Sequence, residues 1–417
     1  MLDSGASMED TTSRPWWTRE GLEAREGRLF FAGRDAEVLA RDHGTPLYLY
    51  DPARLEANAR RLEGVLARAG VRHRMHYALK ANRHPELLAR LRALGTVGLD
   101  VCSPDEVSLG LASGWNAEEI SYTGTNLSPR DLDRILAAPL VLNLDSFSAI
   151  RRVGARAPGR RIGLRVNPQI GTGYSAKLTY AGDKPTKFGI YPDRLPEALA
   201  EARSHGLEVV GLHFHIGSGW LQAGLPTFLE AVRRVAELAR LVPGIEYVNV
   251  GGGLGIPLQA ADAPVDLEGY VAGLAQHLAP LGVSVSLEPG DFLVKDSALL
   301  LVEVVTVEDK AGVRFVGVDC GFNAFGLPSV YHYHQEVVLC RAADAPPLQN
   351  VTVAGHINEA SDLFAEECPL PEVREGDILA FLNAGGYAAS MASYHCARPH
   401  AAEMVLGVFM RSAAPSS

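Results

Sequence analysis

The chain has 417 residues, 47% of them hydrophobic and 21% charged, with a net charge of −10. That length supports a large core and two or three domains, and the acidic balance without a long basic block argues against a nucleic-acid partner. The start, MLDSGASMEDTTSRPWW, has no basic segment followed by an apolar one, and no run of about 18 apolar residues occurs, so neither a secretory signal nor a membrane span is expected.

Residues 1–14 and the final AAPSS are expected to be loose tails. RLFFAG (28–33) reads as a strand. From residue 46, short apolar runs (PLYLY, HRMHYALK, LVLNLD, RIGLRVN, LEVVGLHFH, YVNVGG and VSVSLEPG) alternate with amphipathic stretches of helical period, of which LEANARRLEGVLARA and LPTFLEAVRRVAELARLV are the clearest. Strand–helix alternation predicts a parallel sheet covered by helices. About eight units over 46–292 predict a TIM-like (β/α)8 barrel, with a doubly wound open sheet as the alternative. PLYLY is taken as its first strand and HRMHYALK as its second. After residue 293 the strands ALLLVEVVTVED, VRFVGVDC, HQEVVLC, NVTVAG, DILAFLNAG and EMVLGVFM follow without long helices. They predict an all-β barrel or sandwich domain formed by 293–412 and 15–45, which takes an N-terminal strand. Five scattered cysteines (Cys102, Cys320, Cys340, Cys368 and Cys396) form no CxxC pair. Disulfides and structural zinc are therefore not expected, and a reducing cytoplasmic compartment is.

Chemistry in such a barrel sits at the C-terminal ends of its strands. Those ends carry Lys80, then Asn167, then His213, His215 and Ser218, then Gly251, Gly252 and Gly253, and finally Glu288, Pro289, Gly290 and Asp291. Lys80 closes an apolar strand, where an ammonium is costly to bury. The glycine triplet lets backbone N–H groups approach a phosphate. It is not GxGxxG, and no acidic residue stands where a dinucleotide's ribose needs one, so a mononucleotide-sized phosphate fits better than NAD. A tight packing turn is the plain alternative. His213 and His215 share one strand face. That suits a ring stacked on a flat cofactor, a satisfied core histidine, or a metal, for which only the distant His332 and His334 add ligands. An amine, a phosphate-sized glycine turn, a stacking imidazole and a carboxylate are together what pyridoxal phosphate requires.

The motifs YALKAN, GLDVCSPDE, SYTGTN, LRVNP, TKFGI, HFHIGSG, VNVGGGLG, EPG and AGGYAASMAS follow one another in order. In that order the chain resembles the fold-type III pyridoxal-phosphate decarboxylases, in pattern the diaminopimelate decarboxylases above their ornithine and arginine relatives. The resemblance runs from DHGTPLYLYD (42–51) to RPHAAEMVL (398–406). It implies an alanine-racemase-like barrel with a C-terminal β domain, pyridoxal 5'-phosphate as cofactor, loss of CO₂ from an amino-acid substrate, no metal, and a homodimer with shared active sites. Lys80 matches the Schiff-base lysine, His215 the ring-stacking histidine, and Glu288 the partner of the pyridine nitrogen. Ser218, Gly252, Gly253, Gly290 and the backbone of Asp291 match phosphate contacts. Tyr387 matches a tyrosine that reaches the phosphate, and it and the segment around Glu359 are implied to come from the second subunit.

Three departures from the pattern bear on chemistry. Where the family carries Cys-Glu-Ser-Gly-Asp, GHINEASD (355–362) keeps Glu359 and Asp362 but has Asn358 in place of the cysteine. That cysteine is the expected proton donor to the α-carbon, and an amide cannot replace it near neutral pH. Cys396, Tyr387, His332 and Lys80 are the alternatives. EPGR becomes EPGD, placing Asp291 where an arginine is expected. GLPSVY puts Leu327 where a second arginine precedes Pro-x-x-Tyr, with Tyr331 retained as a substrate contact. The two arginines suited to a distal carboxylate are thus absent. Decarboxylation of an amino acid other than meso-diaminopimelate is expected, with Asp291 and Glu359 forming an acidic far pocket for a basic amino acid or a modified intermediate. A racemase and a non-catalytic cofactor-binding regulator are the alternatives.

Overall fold

The computed structural model describes residues 14–182 and 184–407. The expected tails lie outside this range apart from Arg14. Eight parallel strands close into a barrel: His73–Ala78, Val97–Val101, Ile120–Thr123, Val141–Leu144, Arg161–Arg165, Glu208–His213, Tyr247–Asn249 and Ser284–Leu287. Each pairs with its neighbour in sequence, and closure is made by Val285, Ser286 and Leu287 against His73, Arg74 and Met75. Burial on both faces explains why most of these strands read as unbroken apolar runs. Val97–Val101 and Ile120–Thr123 escaped that reading because Asp100, Ser121 and Thr123, all buried, interrupt the pattern.

PLYLY corrects the expected strand count. Leu47–Tyr50 is not a barrel strand; it pairs antiparallel with Ala298–Leu301 and parallel with Ala402–Val405. All four of its residues are buried, so its apolar run resembles a barrel strand although its hydrogen bonds belong to the second sheet. The lysine-bearing strand is accordingly the first of the barrel. The second sheet runs Val337–Leu339, Ile378–Phe381, Ala298–Lys310, Val313–Val318, Gln349–Ala354, Leu363–Leu370, with Leu47–Tyr50 added on the long Ala298–Lys310 strand. This is the mostly-β C-terminal domain, and the N-terminal strand it takes is Leu47–Tyr50 rather than the one expected from 15–45. Arg28–Phe31 pairs instead within a small three-stranded sheet, whose Leu22, Leu29 and Phe31 pack on Leu47, Leu49, Leu299 and Leu301.

Local signals fix the join between the domains. Asp51 caps the helix Pro52–Arg68 by accepting from the Ala53 and Arg54 amides, with Pro52 at its first position. From this helix Arg54 and Asn58 reach Asp296, at 2.6 Å each. Asp296 lies just past the eighth strand, so the helix anchors the segment that leads from the barrel's catalytic end into the β domain. None of the helices among the described residues is long and apolar enough to cross a membrane.

Candidate active site

Lys80 sits in the single 3₁₀ turn Leu79–Ala81 that follows the first barrel strand. Asn82, buried beside it, locks the turn. Its carbonyl accepts from the Tyr77 hydroxyl at 3.0 Å, its side chain donates to the Gly385 carbonyl at 3.0 Å, and its Oδ1 accepts from the His84 amide at 2.9 Å. Lys80 Nζ points at Asp100, at the end of the second strand, and donates to Oδ2 at 2.6 Å. Burial works against the ammonium, but Asp100 first, then Tyr387, Cys102 and Glu288, outweigh it and hold Lys80 well above the ordinary lysine range. Burial and then the Glu288 charge push Asp100 up to about 7, against the pull of Lys80. The lysine's direction decides the chemistry: the free amine is kept as an ammonium.

On the adjacent strand that closes the barrel, Glu288 at the end of the eighth strand is fixed by two neighbours. Asn249 Nδ2 donates to Oε1 at 2.7 Å, and His213 Nε2 faces Oε2 at 3.1 Å. Burial alone raises the Glu288 carboxyl, but the contact with His213, then Lys80 and His215, take it well below the carboxylate range. An ionised carboxylate only accepts, so His213 is the donor through Nε2, which leaves its buried Nδ1 without a hydrogen-bond partner among the described residues.

His215 is different in kind. Burial, with Arg165 adding to it, lowers its imidazole to about 3, so the ring is neutral. Its Nδ1 is also buried without a partner among the described residues, and its ring leans on Tyr180 at 5.1 Å between centroids. A neutral flat ring with an unsatisfied edge suits a stacked aromatic ligand.

Beyond His215 the backbone turns through a cup of glycines. Gly251 and Gly253 have φ of +69° and +101°, a region that favours glycine. A Cβ on Gly253 would stand 2.7 Å from Trp220 Nε1, itself buried without a partner among the described residues, and one on Gly290 would stand 2.8 Å from the Tyr387 hydroxyl. Ser218, Gly252, Gly253, Gly290, Asp291 and Tyr387 line this recess together with Lys80. It opens on a cavity of about 550 Å³ that Lys80, His215, Glu288 and Tyr331 also line. An amine, an ionised carboxylate, a neutral ring and a backbone cup with a hydroxyl therefore surround one space. That donor set fits pyridoxal phosphate: an aldehyde partner, a charge for a ring nitrogen, a stacking face and an anion site.

Tyr387 corrects an expectation. It belongs to the same chain as Lys80, not to a second subunit, because Ile378–Phe381 runs beside Ala298–Lys310 and delivers the AGGY turn to the barrel mouth. There its amide donates to the Ala81 carbonyl at 2.8 Å. Asn358 and Glu359 are not brought to the cavity of their own chain. Both are exposed on the β domain, where Glu359 Oε1 lies 3.4 Å from His395 Nε2. Asp291 and Glu359 thus form no common acidic pocket within one chain, and Asp291 is ion-paired with Lys295. Asn167, read from the sequence as a strand end, holds the following loop through Thr186 and Phe188. The strand's inward-facing end is Arg165, which lines the cavity. Sequence reasoning passed over Arg165, Asp100, Cys102 and Tyr333 in the cavity wall. A carboxylate in GLDVCS and a guanidinium in RIGLRVN at strand C-termini were the available signals.

The chain's similarity to known proteins points the same way. Residues 53–295 match the family model described as the pyridoxal-dependent decarboxylase, pyridoxal binding domain. The diaminopimelate decarboxylase of Methanothermobacter thermautotrophicus is 37% identical over 395 residues, covering 91% of each chain. That of Escherichia coli strain K12 is 33% identical over 384 residues, covering 87% of this chain and 88% of its own. The crystal structure of Helicobacter pylori diaminopimelate decarboxylase complexed with L-lysine superposes with a TM-score of 0.82 at 29% identity, covering 89% of this chain and 94% of its own. Against these likenesses the racemase and regulatory alternatives give way. The cup, the lysine and the paired carboxylate lie inside the matched segment or, for Tyr387, fold back onto it, and the chain belongs to the pyridoxal-dependent decarboxylases, with pyridoxal 5'-phosphate as cofactor and an amino acid as substrate.

Proposed function

We propose that the chain decarboxylates an amino acid other than meso-diaminopimelate, with Lys80 as the cofactor's attachment point. Bound pyridoxal phosphate supplies the electron sink for the pair released when the bond from Cα to the carboxylate breaks. The protein's own groups do the rest. Glu288, held ionised, would keep a proton on the cofactor's ring nitrogen. His215 offers a neutral stacking face. The glycine cup, Ser218 and Tyr387 take the phosphate. Asp100 holds the proton at Lys80 Nζ whenever that nitrogen is not joined to the cofactor. Of the four alternatives to Asn358 as proton donor, Lys80 and Tyr387 line the cavity. His332 contacts Lys177 at 3.0 Å away from that cavity, and Cys396 is exposed. Lys80 and Tyr387 are accordingly the candidates within one chain for the return of the proton, and Cys396, next to the His395 that Glu359 contacts, is the candidate from a second chain.

The observation that carries the substrate reading is Leu327. It is buried and lines the cavity beside Tyr331, so the wall carries an apolar side chain where a clamp for a distal carboxylate requires a guanidinium. A second reading, meso-diaminopimelate itself, is favoured by the names of the relatives and by Arg83, which lines the cavity rim and donates to the Ser390 carbonyl at 3.1 Å. The deciding experiment measures kcat/KM for CO₂ release from meso-diaminopimelate, lysine, ornithine, arginine and acidic amino acids. The proposal expects meso-diaminopimelate to be a poor substrate; if it is the best of the panel, the second reading replaces the first.

We also propose a homodimer in which Asn358 and Glu359 of each chain face the Lys80 cavity of the other. Their exposure and their lack of any place in their own chain's cavity support this. Mixing Lys80→Ala chains with Glu359→Gln chains tests it: activity regained on mixing supports a shared site, and no regain in a mixture shown to exchange subunits opposes it.

A further inference from the structure

After Glu288 the chain enters a single helical turn, Asp291–Val294, and buries two opposite charges. Asp291 and Lys295 stand at i and i+4, with side chains 5% and 3% exposed, and Lys295 Nζ donates to Asp291 Oδ1 at 3.1 Å. Among the described residues, Asp291 holds the only carboxylate within 4.0 Å of that ammonium. The other oxygen, Oδ2, accepts from the Tyr333 hydroxyl at 3.4 Å, and Nζ lies 4.5 Å from the Tyr333 ring centroid. The surroundings leave the pair little room. A Cβ on Gly386 would stand 2.7 Å from Asp291 Oδ1, the Gly385 amide donates to the Lys295 carbonyl at 3.0 Å, and Asp296 next in the chain is clamped by Arg54 and Asn58.

Asp291 lines the same recess as Ser218, Gly253, Gly290 and Tyr387, the end assigned above to the phosphate. A carboxylate beside a phosphate dianion opposes its binding unless a cation in contact cancels the charge. We propose that Lys295 is a positioning residue for the cofactor: it neutralises Asp291 at the wall of the recess, so that the two act as one uncharged unit and the recess accepts the phosphate. This inference rests on the phosphate's placement in the recess and deepens it. It also withdraws Asp291 from any role as partner of a substrate's distal cation. Through Asp291 the pair fixes Tyr333, whose hydroxyl would stand 2.5 Å from a Cβ on Gly219, so the unit braces the Ser218–Gly219 turn as well.

The test titrates the full chain, freed of cofactor, with pyridoxal phosphate and with pyridoxal, following the visible absorbance of the bound aldehyde. Lys295→Met is expected to weaken pyridoxal phosphate about tenfold or more, because a buried charge is left uncancelled against the phosphate, while pyridoxal changes by less than about twofold. Asp291→Asn/Lys295→Met, which removes both charges, is expected to return to within about threefold of the parent, since the two sites are coupled. Asp291→Asn alone is expected to tighten pyridoxal phosphate relative to pyridoxal, and it keeps the question open to measurement if Lys295→Met does not fold. Unchanged phosphate affinity in Lys295→Met or Asp291→Asn, or a double variant as weak as the single, overturns the inference. A parent that takes pyridoxal as tightly as pyridoxal phosphate overturns the phosphate's placement and this inference with it. A parent that prefers the phosphate, beside a Lys295→Met that prefers it by the same factor, overturns this inference alone.

Discussion

Asp100→Asn gives the least intuitive prediction of the site: removing a carboxylate from the cavity speeds attachment of the cofactor. Attachment needs Lys80 as a free amine, and Asp100 at 2.6 Å is the largest influence holding it protonated, while burial works the other way. An opposite charge at this range favours the protonated amine. The Lys80 side chain is 42% exposed, so water screens the contact and tempers its effect. Asparagine leaves burial opposed only by the smaller influences of Tyr387, Cys102 and Glu288, so the amine's pKa falls and, at fixed pH below it, the neutral-amine fraction rises. The assay mixes cofactor-free protein with pyridoxal phosphate and records the attachment rate from pH 6 to 10 by visible absorbance. The profile of Asp100→Asn should lie at lower pH than that of the parent. A profile that does not move, or that moves upward, refutes the assignment of Asp100 as the group that keeps Lys80 charged.

Other parts of the account yield further outcomes. Glu288→Gln keeps an acceptor for Asn249 but loses the charge, so kcat for CO₂ release should fall about 10²- to 10³-fold with the thermal midpoint little changed; steady-state kinetics beside a melting curve checks both. Gly290→Ala places a Cβ 2.8 Å from the Tyr387 hydroxyl, and the overpacking should cost about 1–3 kcal/mol, read as a lower denaturation midpoint together with weaker cofactor binding. Asp296→Ala strands Arg54 and Asn58, which contact it at 2.6 Å each. Breaking a largely buried pair from one side should cost about 3–5 kcal/mol, measured by denaturant unfolding of the cofactor-free protein.

The sequence is most legible where backbone geometry imposes residue type. Gly251 and Gly253 adopt positive φ and Gly290 lets a hydroxyl approach, so glycine is forced at these positions and the residue types alone mark the glycine cup. The apolar runs that end at Lys80, His215 and Glu288 likewise place those three residues on strand ends. Periodicity is blind to partner choice: Leu47–Tyr50 is as apolar as a barrel strand, and only its hydrogen bonds to Ala298–Leu301 show that it belongs to the other sheet. Polar residues inside strands hide Asp100, because Val97–Val101 does not read as a continuous buried run. Asp291 is legible as a departure but reads, wrongly, as an open charge. Its partner Lys295 stands one turn on, and an i,i+4 pair is a signal the sequence contains, but burial of both residues at the cup wall is a property of the packed fold. Tyr387 is identifiable as a site residue, yet the subunit that supplies it follows from the sheet register between Ala298–Lys310 and Ile378–Phe381.

The central claim is that decarboxylation runs at Lys80 in this chain's barrel. Its most direct test is CO₂ release, with pyridoxal phosphate in excess, from the amino acid that the parent enzyme handles best, compared between the parent and Lys80→Ala. The parent should release CO₂ and Lys80→Ala should lose at least about 10³-fold, because the amine that would hold the cofactor's aldehyde until the substrate's amine displaces it is gone. Release by Lys80→Ala at the parent's rate would contradict it.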